Sequence, residues 1–257
     1  MISEFILYTG AVVFLYMTFV FILALVKKDN SIVDVAWGIG FILVALLNFF
    51  LDSTFTFRSV LVTGLVIVWG TRLAVHIYLR NRGKGEDFRY AQWRKDWGKA
   101  VVWRSFFQIF MLQGFLLLII SCPIMLVNQS EAGGLTALDI AGVAVWLIGF
   151  LFEALGDYQL RAFKKKPENK GKIMSQGLWR YTRHPNYFGE VSCWWGIFLI
   201  ALSIEKGWTA VISPLVITFL LLRVSGVTML EKKYAGNEEF LEYARRTSPF
   251  IPWFPKK

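Results

Sequence analysis

The chain has 257 residues, 56% of them hydrophobic, and a formal net charge of +10. Its two cysteines and two histidines give no basis for a disulfide framework or a histidine-rich metal site, so no metal is expected. The apolar residues fall in blocks of about twenty, the length that matches a bilayer core of roughly 30 Å, and they lack the alternation of an outer-membrane barrel.

Seven such blocks follow in chain order, at 5–26, 32–51, 59–79, 105–127, 137–160, 190–204 and 208–230. They predict an all-α, polytopic membrane bundle organised as one domain over residues 1–257. The first block has no basic leader segment and no small-residue cleavage site, so it reads as a retained span. The sixth is short and the seventh long, which predicts tilt or a break there. The loop "RNRGKGEDFRYAQWRKDWGKAVVWR" at 80–104 mixes glycine, charge and tryptophan and predicts a surface helix with its aromatics at the headgroups. The loop 161–183 contains "KKKPENKGK" and reads as an exposed turn. The segment 231–257 begins as a charged extension of the last span and ends in "SPFIPWFPKK". Its three prolines preclude a regular helix and suit a tail that folds back. "NQS" at 128–130 has the form of a glycosylation sequon.

Charge sets the expected orientation. Of the 28 Lys and Arg residues, 24 lie in the segments after spans 1, 3, 5 and 7. Positive loops stay inside, so the N-terminus is expected outside and the C-terminus in the cytoplasm. The same rule, with anionic headgroups, accounts for the basic loops without nucleic acid.

Charges inside spans are costly, about 2.5–3.5 kcal/mol each at the bilayer centre. Asp34, Arg72, His76, Glu153, Asp157, Glu190, Arg223 and Glu231 all fall in the half of their spans expected to face the cytoplasm. Snorkelling, capping or local pairing explains any one of them. Together they predict a polar cavity that takes a charged ligand from the cytosol. No strand exists to carry a dinucleotide fingerprint, and no phosphate-loop motif is present. What remains is a donor set suited to phosphate (Arg180, Arg183, Lys164, Lys165, Arg245, Arg246). Asp157, Glu190 and Glu231 suit ribose hydroxyls, and Tyr187, Tyr234 and Tyr243 suit ring stacking. These residue types suit S-adenosylmethionine as well as a nicotinamide dinucleotide.

Several words carry a resemblance. "GLWRYTRHPNYFGE" at 177–190, "WWG" at 194–196, "DYQLRAFK" at 157–164, "NRG" at 81–83 and the tail "EKKYAGNEEFLEYARRTSPFIPWFP" resemble the membrane steroid 5-alpha-reductases and sterol reductases. The pattern is most similar to the bacterial membrane branch of that superfamily, strongest from about 153 to 255. The resemblance implies a helical bundle, in a bacterial inner membrane or, in a eukaryote, in the endoplasmic reticulum, that binds NADPH from the cytosol. It implies reduction of a conjugated carbon–carbon double bond in a lipid or steroid-like molecule, with 105–257 as the cofactor-binding portion. Carried over residue by residue, it assigns cofactor contacts to Asn186, Tyr187 and Glu190, with Arg183 as a phosphate partner. It adds Asp157, Lys164 in place of the usual arginine, Tyr234 and Tyr243. Glu153, which departs from the asparagine the pattern expects, and Arg223 are counted as cofactor-binding candidates because they belong to the charges of the predicted cavity rather than to the resemblance.

The substrate half departs from the pattern. Steroid reductases are expected to carry a Gln-Glu pair in span 2 and a tyrosine in span 3. Here span 2 offers Asp34, and span 3 offers Trp69, Arg72 and His76. Asp34 and His76 are the proton-donor candidates, because each is titratable where a low dielectric retunes it. A membrane methyltransferase of the isoprenylcysteine or phospholipid type shares the "RHPxYxG" element, although Lys232 stands where its second glutamate would be. A lipid-binding protein without enzymatic activity is the third reading.

Overall fold

The computed structural model describes residues 2–51, 55–130 and 133–256. Among them the ordered elements are helical, and the one β-bridge pairs Thr182 with Ser248. The chain is a multi-pass, all-α membrane protein. Among the described residues six helices are long and apolar enough to cross a membrane: Glu4–Lys27, Ile32–Leu51, Phe57–Asn81, Phe88–Ile120, Ala137–Lys165 and Gly207–Lys232. The block expected at 190–204 forms a helix over Pro185–Ala201 of 17 residues, about 26 Å long and so shorter than the ~30 Å hydrocarbon core.

The helices divide into two compact units, one of Met1–Leu135 with Ile204–Ile212 and one of Thr136–Ser203 with Ser213–Lys257. In the first unit, α1 (Ile2–Lys27), α2 (Ile32–Leu51) and α3 (Phe57–Asn81) follow one another. A Cβ added at Gly38 would sit 2.6 Å from the Gly70 carbonyl, and one at Gly70 would sit 2.7 Å from the Gly38 carbonyl. Only paired glycines let α2 and α3 touch this closely. Buried side-chain bonds tie the other helices, as where Asn48 Nδ2 donates to Thr9 Oγ1 at 3.1 Å.

The loop 80–104 is helical as expected, but its helix continues into the span. Asp87 caps α4 (Phe88–Trp97) by accepting from the Arg89 amide. A 3₁₀ turn, α5 (Val101–Ser105), a π-helical stretch over Phe106–Met111 and α6 (Leu112–Ile120) carry the chain on. The fourth span therefore ends at Ile120 rather than 127. A turn at Ser121 with Pro123 behind it ends one helix and starts α7 (Cys122–Asn128), because proline cannot donate to the preceding turn. Asn128 is 1% exposed, accepts from Thr63 Oγ1 and donates to the Ile124 carbonyl. The sequon's asparagine is thus a packing residue.

The second unit is built on α8 (Ala137–Lys165) and α9 (Pro185–Ala201). Thr136 and Asp139 form a reciprocal capping box at the start of α8. The long last span contains the expected break. After α10 (Ile212–Phe219) comes a π-helical stretch over Leu220–Val224, then Ser225 and Gly226, and α11 (Val227–Lys233). Asn237 caps α12 (Glu238–Arg246), and residues 247–256 run back without a helix.

Candidate functional site

Glycines spaced seven apart set the geometry of the second unit. Gly142, Gly149 and Gly156 face α9, whose Gly189 and Gly196 face back. A Cβ at Gly149 would lie 2.6 Å from the Gly189 carbonyl, and one at Gly189 would lie 2.4 Å from both the Glu153 amide and the Gly149 carbonyl. This backbone contact puts the acids of α8 against the first turns of α9. Glu153 is 2% exposed and Asp157 8%. Asn186 Nδ2 donates to Asp157 Oδ1 at 3.1 Å, while Asn186 Oδ1 is buried and accepts no hydrogen bond. An unsatisfied buried carbonyl of this kind costs about 1–3 kcal/mol. Glu190 lies one turn further along α9, half-buried and already engaged with a partner, as is Glu153.

The word before α9 is held from two sides. Trp179 Nε1 donates to the Gly156 carbonyl at 3.1 Å, and the Leu178 amide donates to Gln159 Oε1 at 3.0 Å. The tail closes the other side. Thr182 Oγ1 donates to the Phe250 carbonyl at 2.8 Å, the Arg183 amide to the Ser248 carbonyl at 2.9 Å, and the Trp253 amide to the Tyr181 carbonyl at 3.0 Å. The tail thus folds back, as its prolines suggested.

Arg183 differs from the sequence expectation of a phosphate partner. Its Nε and Nη2 both lie 2.8 Å from Glu231 Oε1, and Nη1 donates to the Ala244 and Thr247 carbonyls at 2.8 Å each. The guanidinium fork is filled by the protein and fixes the tail. His184 Nε2 lies 3.2 Å from the same Glu231 oxygen, and its ring stacks on Tyr187 at 5.5 Å and 12°. Tyr243 donates from its hydroxyl to the Trp179 carbonyl, and burial pushes its pKa up. Tyr234 packs on Phe240 with ring centroids 5.4 Å apart. Lys164 and Arg223 are exposed, Lys164 on the last turn of α8 and Arg223 in the π-helical stretch. A cleft of about 400 Å3 runs beside the same end of α8, lined by Tyr158, Gln159, Phe163, Asn169, Met174 and Gly177 among others.

The first unit carries its own polar cluster. Asp34 Oδ2 meets Arg89 Nη2 at 2.7 Å, and Asp34 Oδ1 accepts from the Tyr90 hydroxyl at 2.6 Å. Arg89 also binds Asp87 at 2.8 Å. Beside them, Glu86 bonds Arg94 through both oxygens at 2.8 Å and accepts from the Asn30 amide at 2.7 Å. Burial alone would raise the Glu86 and Asp87 pKa values, but their arginine partners and backbone donors outweigh it and hold both low. Arg72 and His76 lie half-buried one turn apart on α3, each already engaged. Tyr90 is the functional candidate that sequence reasoning missed. The resemblance places a tyrosine inside span 3, whereas Tyr90 follows the Asp87 cap in "DFRY", where a capped helix start fixes its position.

Asn186 Oδ1 and the carboxylates beside it form an acceptor set. It fits the amide and hydroxyl donors of a nicotinamide nucleotide, and the exposed cations at this end of α8 suit its phosphates.

The family described as "Protein of unknown function (DUF1295)" matches residues 20–247. The 3-oxo-5-alpha-steroid 4-dehydrogenase 1 of Bos taurus is 39% identical over 114 residues, covering 44% of this chain and 41% of that protein. The protein of the same name from Rattus norvegicus is 28% identical over 116 residues, with 44% and 41% covered. The probable O-methyltransferase ustE of Ustilaginoidea virens is 34% identical over 73 residues, 27% of this chain and 26% of that protein. The matches to the two dehydrogenases span about two fifths of their length. No solved structure matches the chain.

Proposed function

The chain belongs to the family of unknown function that matches it from residue 20 to 247, and with it to the steroid 5-alpha-reductase-like superfamily; from that premise we propose that it is a membrane-embedded, NADPH-dependent reductase of a conjugated carbon–carbon double bond in a steroid-like or other lipid substrate. The observation that carries the cofactor assignment is the Asp157–Asn186 pair with its unsatisfied Asn186 Oδ1. The positive-inside distribution supports a cytoplasmic position for this end of α8 and α9.

When bound, NADPH supplies the hydride that the reduction needs. Asn186 Oδ1 is free to accept from a carboxamide N–H, while Asp157 fixes which way the Asn186 side chain points. Glu153 and Glu190 add acceptors suited to ribose hydroxyls. Arg183 acts on the cofactor indirectly, by holding the tail against the segment that leads into α9. Tyr187 and Tyr243 keep that segment in place through His184 and Trp179. In the first unit the Asp34 carboxylate is ion-paired to Arg89 and accepts from Tyr90. The carboxylate is therefore an acceptor rather than a proton donor, and the Tyr90 hydroxyl, which gives its one proton to Asp34, would have to turn away from it before it could donate to a substrate carbonyl. His76 is the second proton-donor candidate.

One observation favours a second reading. The acid-rich surroundings of Asn186, with the Arg183 fork filled from within the protein, also suit a cationic ligand such as S-adenosylmethionine. The similarity to a probable O-methyltransferase points the same way. Titrating the purified protein with each cofactor separates the two. NADPH is expected to bind and raise the melting midpoint, and Asn186→Ala should weaken it by about 1–3 kcal/mol, roughly 5- to 150-fold. Stabilisation by S-adenosylmethionine alone would overturn the reductase reading.

A further inference from the structure

The tail's apolar edge has no role in the site described above. In the second unit, the exposed large apolar residues outside the helices are Tyr181, Ile251, Trp253 and Phe254 among the described residues. The last three are 64, 71 and 77% exposed. Tyr181 packs edge-on against Phe254, with ring centroids 6.0 Å apart, so one aromatic edge joins the tail to the segment before α9. An apolar edge of this kind needs cover.

The depth of this edge follows from the bonds that hold it. Trp253 is bonded to Tyr181, and the neighbouring Trp179 is bonded to Gly156 of α8. Asn186 meets Asp157 one residue further along α8. The tail therefore lies level with residues 156–159, while the span-length helix that contains them ends at Lys165. Six to nine residues of helix rise about 9–14 Å, more than the roughly 5–8 Å of one headgroup layer, so from the end of the helix this level reaches the headgroup–acyl boundary. Exposed cations flank the edge at Arg245, Arg246 and Lys256. Tryptophan and other aromatics at headgroup depth, bordered by positive charge, match a membrane–water boundary with anionic lipid.

We propose that Ile251, Trp253 and Phe254 form an interfacial anchor that dips into the headgroup–acyl boundary of the bilayer the protein spans. Anchored there, the tail holds Tyr181–Arg183 through its three backbone-directed bonds. The lipid thereby steadies the segment that leads into Asn186.

Spin labels test this directly. Cys122 and Cys193 are replaced by alanine, and single cysteines are introduced by Phe254→Cys or Ile251→Cys, with Lys170→Cys as a water-exposed reference. The full-length protein is placed in vesicles of phosphatidylcholine with a minority of phosphatidylglycerol. At both tail sites, collisions with oxygen are expected to exceed those with a water-soluble nickel complex several-fold relative to the Lys170→Cys reference. Nickel access equal to the reference at both sites would overturn the proposal. Shielding from both reagents, with cross-linking of tails between two copies, would assign the edge to a protein interface and would equally overturn it. Because the readout is depth alone, either failure leaves the cofactor assignment standing.

Discussion

Replacing Gly189 with alanine tests whether the backbone contact between α8 and α9 builds the candidate site. The new Cβ would lie 2.4 Å from the Glu153 amide nitrogen and the Gly149 carbonyl oxygen, where ordinary contact begins at 3.4 Å. Both atoms belong to a helix backbone and cannot rotate away, so the helices must part by about 1 Å. Overpacking of this kind costs about 1–3 kcal/mol, which lowers the folded-to-unfolded ratio roughly 5- to 150-fold. The same displacement stretches the Asn186–Asp157 bond from 3.1 Å to about 4 Å, outside hydrogen-bonding range. Thermal denaturation of the purified protein should therefore show a lower midpoint, and calorimetric titration should show weaker NADPH binding. Gly64→Ala is the control. Nothing lies within 4 Å of its added Cβ, and alanine favours a helix by about 1 kcal/mol over glycine. An unchanged midpoint and unchanged NADPH affinity in Gly189→Ala would refute the reasoning. A lower midpoint with unchanged affinity would refute only the link from helix contact to cofactor.

Three further outcomes are expected. On the proposed reductase function, Tyr90→Phe should lower turnover of an enone substrate about 10²–10⁴-fold, the usual worth of a positioned proton donor, with NADPH affinity retained; full turnover would remove Tyr90 from the mechanism. Arg183→Lys cannot reproduce a fork that meets Glu231 and two carbonyls at once, so trypsin should cut after Arg245 and Arg246 sooner than in the parent; identical cleavage rates would show that Arg183 does not hold the tail. Glu86 is held below its ordinary range in the folded protein. Its contribution to stability is therefore complete above about pH 4.3 and lost as pH falls through the folded value. Glu86→Gln should accordingly melt below the parent near neutral pH and converge with it in acid, and a deficit independent of pH would contradict the ion-pair account.

The spans are legible in the sequence because bilayer thickness imposes a length that composition alone reveals. Pro185 opens α9, and the prolines of 247–256 keep the tail out of a helix, because proline's constraint is local. The end of the fourth span is not legible, because apolar residues continue past Ser121 and only the turn before Pro123 divides them. Glu153, Asp157 and Asn186 are recognisable as types, but their meeting depends on Gly149 and Gly189. A glycine's meaning lies in the helix opposite, which no local pattern shows. Arg183 is the clearest example. Its charge and spacing suit a phosphate, and only the path of a tail some sixty residues later reveals that its donors meet Glu231 and two carbonyls.

That separation along the chain also orders events during synthesis. Thr182 waits for Phe250, 68 residues further on, which at translation rates of about 5–20 residues per second is an interval of roughly 3–14 s. Until those residues emerge, Arg183 faces water or headgroups with its fork empty, and α9 enters the bilayer before its own leading segment is fastened. The fastening of the segment that leads into α9 thus waits for residues 247–256, and a nascent protein stalled before residue 247 would be inserted with that segment still loose.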